Sequence, residues 1–594
     1  LTAFLWILVP FTAALLFAVP GVFDTSMMSR LALYPLLAVS LLFAGRKGIG
    51  RTHLLIALGI GLLPAISLLW SYSPVGGIPF AVRWLSFGML VAGFSGTVSR
   101  YGTRPHLYGL AGAALATALL MALLGTDAIT GNPNRAGMIL ATGFTASAAL
   151  IRREALLSFI PPVIIITGVW LTGFITAFIA CLAGAVILAA SRKTRINAAP
   201  VLGVMILAQI LMGFLPDLAG RIGPTLELRS RIWRQASVLF LEELPLGTGT
   251  GTARLFVYQK AEAELRELPG EETRVDFLHS EPITMITENG IPGLLLLCFI
   301  LYWLSRKAAS PELLALLASF WPVFATDLPI ATPLGAIPAA VFLGMVPGFS
   351  SRKIHLPITP IAVLGALSVF WGYTVLVGYS ALHGPPDSSR LEDACERIPW
   401  EERAFLAAGF AQLREGSVLS ALESSRRFTE LYPLYWRGWL LRATSMSAAG
   451  MPCASEWARA AVLMPENSTS SDRYIMVLNG IDPGSTDPDT AIMLAEVLLS
   501  PYGGRLAEAL SSMTDDQLSV AAGKMLYLSD SFREDSLELS ALCWHTALAL
   551  EAMADNVTDT SILVGILQRL DLKESLPPDF RGKAQMYLDA LISE

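Results

Sequence analysis

One segment of this chain brings together side chains that handle phosphate and protons. Arg229 and Arg231 precede Trp233 on a helical pattern over 226–243. The run Pro245-Leu246-Gly247-Thr248-Gly249-Thr250-Gly251 follows, and His279-Ser280-Glu281-Pro282 closes the segment. Guanidinium forks match phosphate oxygens bidentately and keep their charge. A histidine is the side chain best suited to take a proton from a hydroxyl near neutral pH. Together they suit attack by a hydroxyl on a carbon whose leaving group is a lipid phosphate or pyrophosphate. Glu281 and Glu288 are candidates to orient the histidine, as carboxylates do for imidazoles. The glycine run lets backbone approach a ligand closely. It is not a P-loop, because no Lys-Ser/Thr pair follows it.

Such chemistry must be held by the elements around it, and those are apolar. The chain has 594 residues, 54% hydrophobic and 15% charged, with a mean hydropathy of +0.56, a balance that points to the bilayer as solvent. Apolar segments recur near 3–23, 31–45, 53–70, 80–98, 106–124, 136–151, 156–171, 174–190, 199–215, 283–305, 313–327, 334–349 and 357–380. Each is long enough to be read as a spanning helix. The first lacks a basic leader and a small-residue cleavage site, so it reads as a span and not a signal peptide. Ionisable residues inside these segments are nearly limited to Arg83, within Phe80-Ala81-Val82-Arg83-Trp84-Leu85, and Asp327. A charge there faces a cavity, a partner or the headgroups.

The charge pattern orients the spans. Six basic clusters (Arg46/Lys47/Arg51, Arg100/Arg104, Arg152/Arg153, Arg192/Lys193/Arg195, Arg306/Lys307 and Arg352/Lys353) fall in alternate loops, whereas the intervening short loops hold only Arg30 and Arg135. The positive-inside rule then predicts a cytoplasmic N-terminus, about 12–13 spans, and an outer placement for both the 216–282 loop and everything after 385. In a bacterium that side is the periplasm, which has no ATP supply, so the substrate must arrive already activated. The net charge is +8 over 1–384 and −14 over 385–594. The second part reads as a soluble helical domain joined at Gly384-Pro385-Pro386, and its acidity excludes a nucleic-acid partner. The five cysteines form no CxxC pair, so neither a metal nor a redox cofactor is expected.

Within the acidic part, Pro399, Pro433 and Pro465 are spaced 34 and 32 residues apart, with Trp436, Gly438, Gly450, Ala454, Ala458 and Ala461 between the last two. This resembles tetratricopeptide repeats over 399–467 and implies a concave surface for a protein partner. In the membrane part, three motifs occur in order: Arg231-x-Trp233, then Pro-Leu-Gly-x-Gly-x-Gly, then His279 eleven residues before Gly290-Ile291-Pro292-Gly293. Upstream lies Thr130-Gly131-Asn132-Pro133-Asn134-Arg135-Ala136-Gly137. This arrangement resembles the O-antigen ligase and O-antigen polymerase superfamily of lipid-linked glycan transferases. The resemblance covers about 130–300 by motif, and the many-span layout with one large outer loop extends it across the membrane part.

The resemblance implies an all-α, GT-C-like membrane bundle followed by the helical repeat domain. It also implies inverting, metal-independent transfer of a glycan from an undecaprenyl-pyrophosphate carrier at the bacterial inner membrane. His279 maps to the base and Arg231 to the pyrophosphate ligand, with Arg229, Asn134 and Arg135 as further donor-binding candidates. Two positions depart from the pattern. Ser280 stands where asparagine is frequent, and Thr172-Gly173 is followed by Phe174-Ile175 instead of Ser-Arg. Arg83 is the candidate to replace that arginine. The acceptor stays open among a glycan, a lipid A-core and a protein hydroxyl, with the ligase reading favoured. A transporter of lipid or polysaccharide and a membrane-anchored scaffold are the alternatives of other classes.

Overall fold

In the computed structural model the described residues are 28–124, 136–151, 156–173, 175–193, 203, 206–207, 210–211, 224–259, 278–327, 330, 333–383, 387–451, 453, 456–457, 459–460, 515–533, 536–552, 560–576 and 578–593. The expected spans at 3–23 and most of 199–215 lie outside them, as do Asn134, Arg135, the charged section 260–277 and the Gly384-Pro385-Pro386 linker. The chain divides into two compact units, 1–258 with 275–404, and 259–274 with 405–594.

The first unit is a helix bundle. Its helices are α1 (Met28–Gly45), α2 (Arg51–Ser67), α3 (Pro74–Tyr101), α4 (Arg104–Leu124), α5 (Gly137–Ala149), α6 (Ile160–Thr172), α7 (Ile175–Lys193), α8 (Pro224–Glu242), α9 (Ala253–Gln259), α10 (Glu281–Lys307), α11 (Pro311–Thr326), α12 (Pro333–Met345), α13 (Ile358–Leu382) and α14 (Ser388–Arg397). By length and apolarity, 5 stretches can cross a membrane: 51–70, 74–101, 104–123, 281–307 and 358–382. Six further apolar helices, at 32–45, 137–149, 157–172, 175–191, 311–326 and 335–345, are shorter. Helix is therefore present in every expected span that falls on described residues, but fewer helices have the full spanning length than the apolar pattern predicts. Turns cut several short; Gly173, for example, ends α6 with φ 63°.

α3 is the hub, packed against α1, α2 and α12. Its small residues let backbones meet: a Cβ on Gly93 would sit 2.8 Å from the Leu41 carbonyl carbon. Close approach through glycine is how helices gain van der Waals contact where no hydrophobic drive separates side chain from lipid. Among the described residues one antiparallel ladder, β1 (Ile49–Gly50) with β2 (Lys353–Ile354), pairs Ile49 with Ile354 and Gly50 with Lys353. Arg51 N–H donates to the Arg352 carbonyl at 3.1 Å, Leu356 N–H to that of Arg46 at 2.9 Å, and Lys353 Nζ to that of Ser99 at 3.5 Å. Three basic clusters thus share one end of the bundle. The opposite end of α2 and α3, at 67–74, carries the 245–251 loop.

The segment after α13 folds back onto that helix. Trp400 stacks on Trp371 with centroids 4.7 Å apart, and the Tyr379 hydroxyl donates to Glu401 Oε2 at 2.7 Å. The boundary between the two units accordingly falls after Ala404, further along than the Pro-rich stretch at 385–386.

In the second unit, Phe405 on α15 (Glu402–Arg414) stacks on Phe428 of α16 (Val418–Leu431), and α17 (Trp436–Ala448) packs on α16. This part of the predicted repeat region is helical, with one packed helix pair, α16 with α17. Pro465 and the rest of that repeat lie outside the described residues. Further along, α18 (Asp515–Phe532), α19 (Leu537–Glu551), α20 (Thr560–Leu567) and α21 (Pro578–Ser593) enclose a core that includes Trp544, Met525 and Leu572.

Candidate active site

His279 lies two residues before α10, and its backbone is left-handed, with φ 48°. That conformation is uncommon outside glycine and clusters where surrounding structure holds a side chain in a required direction. Two contacts fix it. On the C-terminal side, Ser280 caps α10, its hydroxyl accepting from Ile283 N–H at 3.4 Å. On the other, the buried Trp233 indole donates to the Leu278 carbonyl at 2.9 Å. The tryptophan two residues after Arg231 therefore ties the arginine helix to the histidine turn, which gives the spacing of the motif a mechanical reason.

The His279 ring sits across from Asp327, with Nδ1 3.8 Å from Oδ1. Nδ1 is buried and makes no hydrogen bond, while the side chain as a whole is 38% exposed. The rest of the ring, with Nε2, is thus the edge that meets solvent. The distance is too long for a hydrogen bond and short enough for an ion pair once the ring is protonated. Asp327 ends α11, immediately after Thr326, whose carbonyl accepts from the buried Arg229 Nη1. Burial pulls the Arg229 guanidinium below its ordinary value, and the Asp327 carboxylate opposes that shift. Arg229, Asp327 and His279 form one electrostatic series.

Arg231, one helical position pair further along α8, is partly exposed and donates from Nη2 to Glu227 Oε1 at 2.9 Å. Because i,i+4 pairs on a helix surface contribute only a few tenths of a kcal/mol (about 0.3–0.5), this one is easily exchanged for a phosphate oxygen.

The candidate glutamates are placed otherwise than the sequence suggests. Glu281 Oε1 accepts from Ile330 N–H at 2.9 Å, and Glu288 faces the backbone N–H groups of Gly251 and Ala253. Both side chains are buried, and among the described residues neither pairs with His279. That place is taken by Asp327, which sequence reasoning marks only as a rare ionisable residue in an apolar segment. Arg83, half-buried on α3, lies over the Phe80 ring at 4.4 Å, with Arg254 over the same ring at 5.3 Å. Glu281 and Glu288 act on it electrostatically, yet it makes no ion pair among the described residues. Arg83 thus belongs to the neighbourhood of the α10 start. Nothing is described for Asn134 and Arg135.

The glycine run is a structural dock. α10 breaks at Gly290 (φ 57°, ψ −141°), two residues before Pro292, which has no N–H to give. The break frees backbone groups that would be unsatisfied in an apolar setting. The loop supplies their partners: Thr248 N–H to the Thr287 carbonyl at 3.2 Å, Gly249 N–H to that of Glu288 at 2.9 Å, and Ile291 N–H to that of Pro245 at 2.9 Å. Gly247, Gly249 and Gly251 all have positive φ, and a Cβ on Gly247 would lie 2.6 Å from the Gly290 nitrogen. On its other side the loop is held by Ser67 Oγ, which accepts from Thr250 N–H at 3.1 Å, and by the Trp70 indole, which donates to the Leu246 carbonyl at 3.1 Å. The close backbone approach read from the glycines is made to α10 by Gly247, and to Ser71 and Gly77 by Gly249 and Gly251.

No cluster of three or more metal-ligating side chains occurs among the described residues. In comparisons with known proteins, no family model, no curated protein and no solved structure matches this chain.

Proposed function

We propose that this chain is a membrane glycosyltransferase that moves a glycan from an undecaprenyl-pyrophosphate carrier to an acceptor hydroxyl on the periplasmic face of the bacterial inner membrane, in the manner of an O-antigen ligase. The observation that carries the reading is the pairing of a half-exposed His279, backed by Asp327, with an arginine helix tied to the same turn through Trp233. The acceptor oxygen attacks the anomeric carbon as His279 Nε2 takes its proton. The carbon–oxygen bond to the pyrophosphate breaks, and the leaving oxygen keeps the electron pair. Asp327 stabilises the imidazolium that forms, as a carboxylate behind a catalytic histidine does. Arg231 and Arg83 bind the pyrophosphate charge, and Arg229 holds Asp327 in place.

The topology supports an outer site. Three basic clusters gather at one end of α2 and α3, and the 245–251 loop joins the other. By the positive-inside rule the basic end is cytoplasmic.

A transporter reading draws on the broken α10, whose buried Glu281 and Glu288 accompany Arg83 as ionisable groups in apolar surroundings. The two readings separate on His279→Ala. Transferase function predicts loss of transfer from undecaprenyl-pyrophosphate-linked glycan by purified protein in liposomes, with expression and melting behaviour kept. Undiminished transfer by the variant would remove His279 from the mechanism. Mass spectrometry of glycans in a deletion strain separates the acceptors. Accumulated long lipid-linked chains indicate a ligase, single repeat units a polymerase, and unmodified protein a protein transferase.

A further inference from the structure

Arg254 lies outside every motif that points to the site, yet it sits beside Arg83. Its guanidinium carbon is 5.3 Å from the centroid of the Phe80 ring, and that of Arg83 is 4.4 Å from the same centroid. The two cations are therefore at most about 10 Å apart, and they repel each other. Gly251 brings them together: a Cβ there would lie 3.0 Å from Phe80 Cδ2, and its carbonyl accepts from Arg254 Nε at 3.3 Å. Arg83 makes no hydrogen bond or ion pair among the described residues, and its nitrogens are not sealed from solvent. The Arg254 side chain is 16% exposed, and its terminal nitrogens make no hydrogen bond among the described residues. The nearby carboxylates are turned elsewhere, Glu281 to Ile330 N–H and Glu288 to the N–H groups of Gly251 and Ala253. Partly buried guanidiniums with uncommitted donors are costly to keep. An anion with oxygens on two centres satisfies both, one phosphoryl group to each fork.

The group that holds Arg254 against this repulsion comes from the turn after α13. Trp400 and Glu401 bind α13 itself, and all of 400–404 belongs to the first unit. Glu402, itself buried, places Oε2 3.7 Å from Arg254 Nη2. At that distance the contact is an ion pair without a hydrogen bond, so charge fixes the guanidinium while its N–H groups stay available. We propose that Glu402 is a positioning residue for donor binding: it holds Arg254 beside Arg83, so that the two guanidiniums together grip the pyrophosphate. Resting on the transferase reading for the nature of the ligand, this assignment gives the turn after α13 control over donor affinity.

The test measures binding and not transfer. Full-length protein in phosphatidylcholine nanodiscs is titrated with undecaprenyl pyrophosphate, and bound lipid is read by native mass spectrometry. Arg254→Gln should weaken binding about tenfold, the order expected for a lost charged hydrogen bond. Glu402→Gln, which keeps shape and removes charge, should weaken it about threefold. Arg254→Gln/Glu402→Gln should bind no worse than Arg254→Gln alone, because Glu402 acts through Arg254. Undecaprenol, which has no phosphate, should bind alike to wild type and every variant. Additive losses in the double variant, or losses that extend to undecaprenol, would show a general structural role and overturn the assignment. Tighter binding by Glu402→Gln would overturn it as well, by making Glu402 a competitor for Arg254. Loss of wild-type binding in phosphatidylglycerol nanodiscs would assign the two arginines to headgroup phosphates instead. A wild type that binds no pyrophosphate lipid in either disc would overturn the transferase reading together with this one. Wild-type binding that the variants leave unchanged would overturn the role of Glu402 and Arg254 alone.

Discussion

At the scale of single residues, the sequence makes His279 a candidate by type and order, but only the fold gives it a partner. Asp327 lies 48 positions away, at the end of an apolar helix, and no short-range spacing links it to the histidine. Its legible signal is an acid placed where charges are expensive. The structure turns that anomaly into a pair. Replacing Asp327 by Asn keeps shape and removes charge, so the imidazolium formed on proton transfer loses its stabilisation. Transfer should fall about a hundredfold in kcat, within the roughly 10²–10⁴ that positioned acid–base groups contribute, with KM for the donor nearly unchanged. A large rise in KM with kcat kept would instead make Asp327 part of donor binding. Arg229 reads in the sequence as a second phosphate ligand. Its burial and its bond to the Thr326 carbonyl make it a brace for the Asp327 end of α11.

At the scale of elements, the motif Pro-Leu-Gly-x-Gly-x-Gly and the motif Gly-Ile-Pro-Gly are legible as separate irregularities. That each exists for the other is not, because backbone pairing between distant segments leaves no periodicity to read. The loop N–H groups and the carbonyls freed at Gly290 satisfy one another, so neither irregularity is tolerable alone. Gly290→Ala tests this: its Cβ would come 2.6 Å from the Leu246 carbonyl carbon at a positive φ. The expected cost is about 1–3 kcal/mol from the backbone conformation, with the clash in addition. A melting temperature within a degree of wild type would show that the dock is dispensable.

The turn after α14 makes a second element-scale prediction. Burial pushes the Glu401 carboxyl up, but hydrogen bonding and charge from Arg403, together with the Tyr379 hydroxyl, outweigh it and leave Glu401 below the ordinary carboxylate range. A carboxyl depressed in the folded state stabilises above its unfolded pKa, roughly 4.3, and loses that contribution as pH falls through the folded value. Wild type should therefore exceed Glu401→Gln in stability by about 1–2 kcal/mol at pH 7, from the lost charged hydrogen bonds. The gap should close in acid below the carboxylate range. A gap that persists at low pH would mean that packing of Trp400 on Trp371, and not the charge, anchors this turn.

At the scale of the whole molecule, helix content and the placement of helices follow the apolar pattern closely, because 3.6-residue periodicity and segment length survive in any single sequence. Which helices reach full spanning length is less legible, since turns such as that at Gly173 depend on local backbone geometry. Orientation rests on the distribution of charge and is sharpened by geometry. Loops carrying Arg46, Arg51, Arg352 and Lys353 are hydrogen-bonded together, so these clusters must share a side of the membrane and cannot be assigned independently. α13, between 358 and 382 the longest uncharged helix among the described residues, is long and apolar enough to cross a membrane, and if it does so 387 onward lies opposite the basic end. With all 5 cysteines replaced, the exposed positions Ser351 and Ser389 make a two-point test with a membrane-impermeant thiol reagent on intact cells. Ser351→Cys should label only after permeabilisation, and Ser389→Cys should label directly. The reverse pattern would put the basic ladder outside and His279 in the cytoplasm, where activated sugar nucleotides are at hand and a lipid-linked donor is unnecessary. Labelling of both from one side would mean that α13 does not cross.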